Sequence, residues 1–217
     1  MNKVFLFPGQ GSQYVGVGKN FYEKFEFAKK IYKKAEEILD CNISEISFTD
    51  KHNLLNNTKY TQPAIFIYSI ILDTFLKDNG YKPTAVAGHS LGEYSALVSN
   101  NIISYEDGLK IIKERAGKMA EIGEDEPGAM AAVVNFDVNK LKIILEDYNN
   151  DIVIANYNTF DQIILSGKKQ SVENLIKESK KHNIRRIIAL NVSGAFHSPI
   201  MKNARIYLEK FIKSTKF

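Results

Sequence analysis

Ser90 stands between Gly88 and Gly92 in the stretch AVAGHSLGEY, directly after a short apolar run. The pattern G-x-S-x-G makes a sharp turn from a strand, residues 85–87, into a helix, residues 91–98, with the serine hydroxyl at its tip. Glycines on either side leave room for that tight approach. An isolated G-x-S-x-G is also met as an ordinary βα turn, so other residues must decide between the two readings. A hydroxyl at its ordinary pKa is a poor nucleophile, and Ser90 needs a base within hydrogen-bond reach, most often a histidine.

The sequence offers four histidines. His89 neighbours Ser90, but at i−1 on a strand it projects to the opposite side. His52 and His182 lie in charged settings, TDKHNL and SKKHNI, and read as surface residues. His197, in VSGAFHSPIM, is flanked by Gly194 and Pro199 in the kind of loop where scaffolds present catalytic groups. It is either the base or a buried structural histidine.

The loop FPGQGSQ, residues 7–13, carries two glycines of a dinucleotide fingerprint, but the third is misplaced and no suitable acid follows the next strand. Loops at the carboxyl ends of parallel strands converge on one crevice, so the Gln10 loop and the Ser90 turn can meet there. The backbone N–H groups of Gln10 and of Leu91 would then form an oxyanion hole; the alternative is a plain glycine turn. Arg115, in IIKERAGKM, has apolar helical neighbours Ile111, Ile112 and Met119. It either snorkels to the surface or aims its fork at a carboxylate.

Two rhythms position these groups. Residues 1–120 alternate short buried-type strands, residues 4–9 and 85–87, with helices, which predicts a parallel α/β sheet. The apolar run TQPAIFIYSIILDTFLKDNG predicts a buried helix with Pro63 at its first position and Gly80 as its stop. From Gly128 the order becomes βαββαβ: strand AMAAVV, helix DVNKLKIILEDY capped by Asp137, strands IVIANYN and QIILSG, helix QSVENLIKESKKH, strand RRIIALNVS. That order is the split βαβ, ferredoxin-like arrangement. The expected organisation is an α/β core, residues 1–127 and 194–217, with a small ferredoxin-like domain inserted at 128–193 and GEDEPG as the connecting segment.

The composition excludes several classes. With 44% hydrophobic and 25% charged residues in a chain of 217, the sequence predicts a folded globular protein rather than a disordered one. A net charge of +4, from 29 basic and 25 acidic residues spread along the chain, is too mild for nucleic-acid binding and would suit an acidic or phosphorylated partner. The lone Cys41 cannot form an internal disulfide, and the start MNKVFLFPGQ is too short an apolar stretch for a signal peptide or a membrane span. The expected compartment is the reduced cytoplasm.

FPGQGSQ, TQPA at 61–64, GHSLGEYSAL at 88–97, an arginine four residues before a methionine, PGAMAAV at 127–133 and GAFHSPIM at 194–201 occur together and in this order. The chain resembles the malonyl-CoA:acyl-carrier-protein transacylases of type II fatty-acid synthesis, kin to polyketide acyltransferase domains, along its whole length. The resemblance implies a hydrolase-like nucleophile elbow at Ser90, with Ser90 as acyl acceptor and His197 as its base. It assigns Arg115 to the malonyl carboxylate and the oxyanion hole to Gln10 and Leu91. Gln62, Met119, Asn158 and Gln162 match positions near the site. Phe196 resembles the malonyl-selective form, where methylmalonyl-selective relatives carry a smaller residue. Between Ser90 and His197 no triad acid is evident, and in the family a backbone carbonyl is thought to orient the imidazole. The implied substrates are malonyl-CoA and acyl carrier protein, with coenzyme A entering as the thioester, no further cofactor and no metal. Family members continue past the histidine loop with further core elements, whereas this sequence stops at Phe217, which raises the expectation of a truncated chain. A serine hydrolase acting on acyl thioesters and a non-catalytic remnant that binds acyl groups or carrier are the rival readings.

Overall fold

A computed structural model of the chain describes residues 2–192 and 194–215. It divides into two compact units, Met1–Gly117 with Leu208–Phe217, and Lys118–Tyr207. The expected boundary at Ser193 lies outside the described residues, as do Met1, Lys216 and Phe217.

The first unit opens with β1 (Val4–Phe7), then α1 (Lys19–Lys24), α2 (Glu26–Leu39), α3 (Ile43–Phe48), α4 (Thr58–Asp78), β2 (Ala85–Gly88), α5 (Gly92–Ser99) and the start of α6 (Tyr105–Asp125). β1 and β2 pair in parallel, Val4 opposite Ala85 through Phe7 opposite Gly88, the helices between them forming the crossover that parallel pairing requires. The α/β character and the parallel sheet expected from the sequence are therefore present.

α4 is the core of this unit. Its Ala64, Ile65, Phe66, Ile67, Ile70 and Ile71 are buried on several faces, against Ala28, Tyr32 and Ala35 of α2, Leu91, and Leu109 and Ile112 of α6. A helix apolar all round must be enclosed in this way. The buried Tyr32 phenol and the half-buried Tyr105 phenol are satisfied by main-chain carbonyls: Tyr32 donates to Val17 at 3.2 Å and Tyr105 to Ile31 at 3.1 Å. The buried Asp73 carboxylate takes Lys77 at 2.7 Å and the Ser99 hydroxyl at 2.6 Å, while Lys77 also donates to the Ser99 carbonyl, which ties α4 to the last residue of α5.

α4 begins five residues before Pro63. Asn57 is its cap, accepting from the Lys59 N–H at 2.9 Å, so the polar run at residues 58–61 is helix and not loop. Pro63 lies inside the helix and has no N–H to give the carbonyl of Lys59. A second correction concerns GEDEPG. α6 runs through Asp125, and the Glu126 N–H still bonds the Ile122 carbonyl at 2.8 Å, so burial of Ile122 carries the helix on through Gly123. Only Glu126 and Pro127 are left as connection.

The second unit holds the end of α6, then β3 (Gly128–Val134), α7 (Val138–Glu146), β4 (Ile152–Thr159), β5 (Gln162–Lys168), α8 (Lys169–Glu178), β6 (Ile187–Ala189) and, after a 3-10 turn at Pro199–Met201, α9 (Lys202–Ser214), which begins in this unit. The strand order is β4-β5-β3-β6 with every pair antiparallel. β3 and β4 are both antiparallel to β5 and hence parallel to each other with β5 between them. Alternation sorts the faces: Ala131, Val133, Ile163 and Leu165 pack under Leu141 and Leu145 of α7 and Val172 and Leu175 of α8. Met130, Ala132 and Ile164 face the other way, against Met119, Ile122, Phe196 and Met201. Asp137 caps α7 as expected, accepting from the N–H groups of Asn139 and Lys140. The last strand is shorter than RRIIALNVS suggests, because β3 offers β6 only the positions from Ala131 to Val133.

Candidate active site

Ser90 occupies the turn between β2 and α5 with a φ of +53°, a left-handed conformation that costs a non-glycine residue of order 1–3 kcal/mol. The turn is pinned by hydrogen bonds from His89 N–H to the Phe7 carbonyl at 3.0 Å and from Gly92 N–H to the His89 carbonyl at 2.9 Å. Both flanking glycines are demanded by contact. A Cβ on Gly88 would stand 2.0 Å from the Gly92 carbonyl carbon, and one on Gly92 would stand 2.1 Å from the Phe7 carbonyl oxygen. Leu91, fully buried at the head of α5, fixes its own backbone N–H at the positive end of the helix.

Arg115 reaches this turn from α6. Its Nη2 donates to Ser90 Oγ at 2.9 Å, its Nη1 donates to Gln62 Oε1, and its guanidinium lies 5.7 Å from the centre of the Tyr94 ring. A guanidinium only donates, so the Ser90 oxygen accepts here and keeps its own proton to give to a base. The same cation stabilises negative charge that develops on Oγ. Burial pulls the Arg115 pKa down, with Tyr94 and Glu93 opposing it. Burial also pushes the Tyr94 phenol up, against the opposing pull of Arg115, so it stays neutral beside the cation.

From Gln62 the contacts continue. Gln62 Nε2 donates to Thr58 Oγ1 at 3.0 Å, and Thr58 Oγ1 donates to Gln10 Oε1 at 2.7 Å. Four of the expected residues, Gln10, Gln62, Ser90 and Arg115, thus fall into one hydrogen-bonded line within the first unit, with Leu91 next to Ser90. Neither Thr58 nor Tyr94 was singled out by sequence reasoning. The signal for Thr58 was its i, i+4 spacing to Gln62, which counts only once the helix is started at Asn57.

His197 belongs to the second unit. It too has a positive φ, +58°, and it is exposed, between the buried Phe196 and Ser198, so it is no core histidine. The loop is held by Ser198 Oγ donating to the Ala195 carbonyl at 2.7 Å. It lies so close to β3 that a Cβ on Gly128 would stand 2.3 Å from Ala195 Cβ. Phe196 and Met119 share one apolar cluster. Asn158 and Gln162 face each other at 2.9 Å near the tip of the exposed β4–β5 hairpin. His52 and His89 are exposed and His182 is half-buried. Among the described residues no cluster of three or more His, Cys, Asp or Glu is placed to hold a metal ion, and no helix is long and apolar enough to cross a membrane.

Over residues 4–216 the chain matches the acyl transferase domain family. It is 38% identical to the malonyl CoA-acyl carrier protein transacylase of Bacillus subtilis (strain 168), over 98% of this chain and 68% of that protein. It is 39% identical to the protein of the same name from Staphylococcus aureus (strain MRSA252), over 91% of this chain and 64% of that protein. The chain therefore spans about two thirds of the length of these curated relatives. The crystal structure of MCAT from Streptococcus pneumoniae superposes with a TM-score of 0.90 at 33% identity, covering 100% of this chain and 71% of that one.

Proposed function

The chain belongs to the acyl transferase domain family, and from that membership we propose that it moves a malonyl group from coenzyme A to the phosphopantetheine thiol of acyl carrier protein, through an ester on Ser90. The observation that carries the reading is the 2.9 Å contact between the Arg115 guanidinium and Ser90 Oγ. It puts a cation with N–H groups to spare beside a hydroxyl at a strained turn, which suits an acyl group that ends in a carboxylate. The names of the relatives, malonyl CoA-acyl carrier protein transacylase, point to the same substrates.

In this reading Ser90 sits on a hydrolase-like nucleophile elbow, and residues 128–193 form a ferredoxin-like small domain whose βαββαβ order agrees with the pairing of β3 to β6. His197 takes the Ser90 proton as Oγ attacks the malonyl thioester carbon. The negative charge that moves onto the carbonyl oxygen is held by the backbone N–H groups of Gln10 and Leu91. The C–S bond breaks, the sulfur of coenzyme A leaves with the proton carried by His197, and malonyl remains as the serine ester. The carrier thiol then gives its proton to His197 and attacks the ester carbon, the C–O bond breaks, and Ser90 Oγ leaves with that proton from His197. Arg115 pairs with the malonyl carboxylate throughout. Phe196 and Met119 shape the acyl pocket, Gln62 holds Arg115, and Asn158 and Gln162 line the approach. The chemistry calls for no cofactor beyond the thioester and for no metal.

Intact-protein mass spectrometry after mixing with malonyl-CoA tests the reading. A malonyl adduct is expected on the wild-type chain, absent from Ser90→Ala, and discharged by holo acyl carrier protein. An adduct that persists in Ser90→Ala removes Ser90 from the mechanism. Discharge to water as fast as to carrier turns the protein into a thioester hydrolase.

A further inference from the structure

We propose that Thr58 is a positioning residue for acyl transfer: it locks the side chain of Gln10, and with it the loop whose backbone N–H receives the oxyanion. The inference rests on the acyl-transfer reading of the Ser90 site. Thr58 is fully buried in the first turn of α4, one turn before Gln62, which is fully buried as well. Its hydroxyl makes two bonds, accepting from Gln62 Nε2 at 3.0 Å and donating to Gln10 Oε1 at 2.7 Å.

The direction of these bonds is dictated from one end. Arg115 has only donors, so the Gln62 atom facing it must be the amide oxygen. That choice turns the Gln62 NH₂ toward Thr58. A hydroxyl owns a single proton, and with its oxygen accepting from Gln62 that proton goes to Gln10. Gln10 must therefore present its own amide oxygen to Thr58. One charged group thus fixes the orientation of two amides and one hydroxyl, leaving Gln10 a single rotamer flip in which the line is satisfied.

Gln10 follows β1 in a loop that is also tied at Gln13, whose Nε2 donates to Asn56 Oδ1 at 3.0 Å. Ser12 Oγ donates to the Gly9 carbonyl at 2.8 Å, and the Gly11 N–H donates to the Gln13 side chain at 2.8 Å. These two contacts are internal to the loop and the Gln13 to Asn56 bond is exposed, so the Gln10 to Thr58 bond is what ties the Gln10 side chain itself to the buried first turn of α4. An oxyanion donor works only where it is held in place before the charge develops. Thr58 supplies that hold without touching substrate.

The experiment compares Thr58→Val, which keeps the shape and removes the hydroxyl, with Thr58→Ser, which keeps the hydroxyl, in single-turnover acylation by malonyl-CoA. Displacing a catalytic donor by about an ångström costs on the order of 100-fold, so Thr58→Val is expected to slow acylation about 10- to 100-fold, with substrate KM changed less than about threefold. Thr58→Ser is expected to stay within about threefold of wild type. In a Gln10→Ala background the valine substitution should cost less than about threefold more, because the partner through which it acts is gone. Should the valine variant fail to fold, Thr58→Ala takes its place in the same cycle. Valine as fast as wild type, serine as slow as valine, or additive losses in the Gln10→Ala background each overturn the inference while leaving the acyl-transfer reading intact. A wild-type chain that forms no ester overturns that reading, and the role of Thr58 with it.

Discussion

In the proposed acyl transfer, replacing Arg115 by alanine separates selection of the acyl group from activation of the serine. Of the five N–H groups on the guanidinium, one on each terminal nitrogen is engaged, with Gln62 and with Ser90, and a further one bonds the Tyr94 phenol. The rest suffice for a bidentate pair with a carboxylate, and burial beside Tyr94 strengthens such a pair by removing water. Leaving a partly desolvated carboxylate without its partner costs about 2–5 kcal/mol, or roughly 30- to 5,000-fold in rate. Arg115→Ala also removes a donor from Ser90 Oγ, and that loss falls on every acyl group alike. The informative quantity is therefore the ratio of acylation rates with malonyl-CoA and acetyl-CoA, followed by rapid-quench mass spectrometry. The ratio should fall by that 30- to 5,000-fold in Arg115→Ala. Arg115→Lys, a point charge without the fork, should recover only part of it. Equal losses with both thioesters would refute the assignment and leave Arg115 as a brace for Ser90 and Gln62.

Other expectations follow from the same geometry. Ser90→Ala should form no acyl-enzyme, and His197→Ala should slow acylation by about 10²- to 10⁴-fold. Gly92→Ala drives a methyl into the Phe7 carbonyl oxygen and should destabilise the first unit by about 1–3 kcal/mol or more in urea titrations. Alkaline pH should unfold the protein through Tyr32 and Tyr105, whose phenols burial raises well above the ordinary value. Above about pH 10 the unfolded chain loses these protons while the native state keeps them, so stability falls by ~1.4 kcal/mol per pH unit for each group. Below that pH both states are protonated and the effect vanishes. Tyr32→Phe and Tyr105→Phe should each flatten the alkaline limb of a denaturation profile.

The turn at Ser90 was legible in a short motif, because a turn of glycines and a serine is written locally. Ser90 between Gly88 and Gly92 is such a case, and the contacts of Gly92 with Phe7 show why the residues must be small. The βαββαβ order was equally readable, since the alternation in MAAV and in IIL sorts side chains to two faces. What stayed hidden was tertiary. The sequence placed the start of α4 at Pro63, yet burial of Thr58 and Thr61 draws the polar TKYT into the helix, and Pro63 is carried along inside. With the start placed too late, Thr58 and Gln62 did not share a face. The division near Gly117 was invisible because α6 crosses it without a break in helical pattern.

The first unit takes a further segment, Leu208–Phe217, from beyond the whole of the second, Lys118–Tyr207. A ribosome adding about 5–20 residues per second therefore leaves residues 1–117 waiting several seconds for the helical turns that start at Leu208, while the second unit emerges as one uninterrupted stretch. During that interval the buried faces of α4 and the turn at Ser90 wait without that segment, while residues 118–207 have already emerged together.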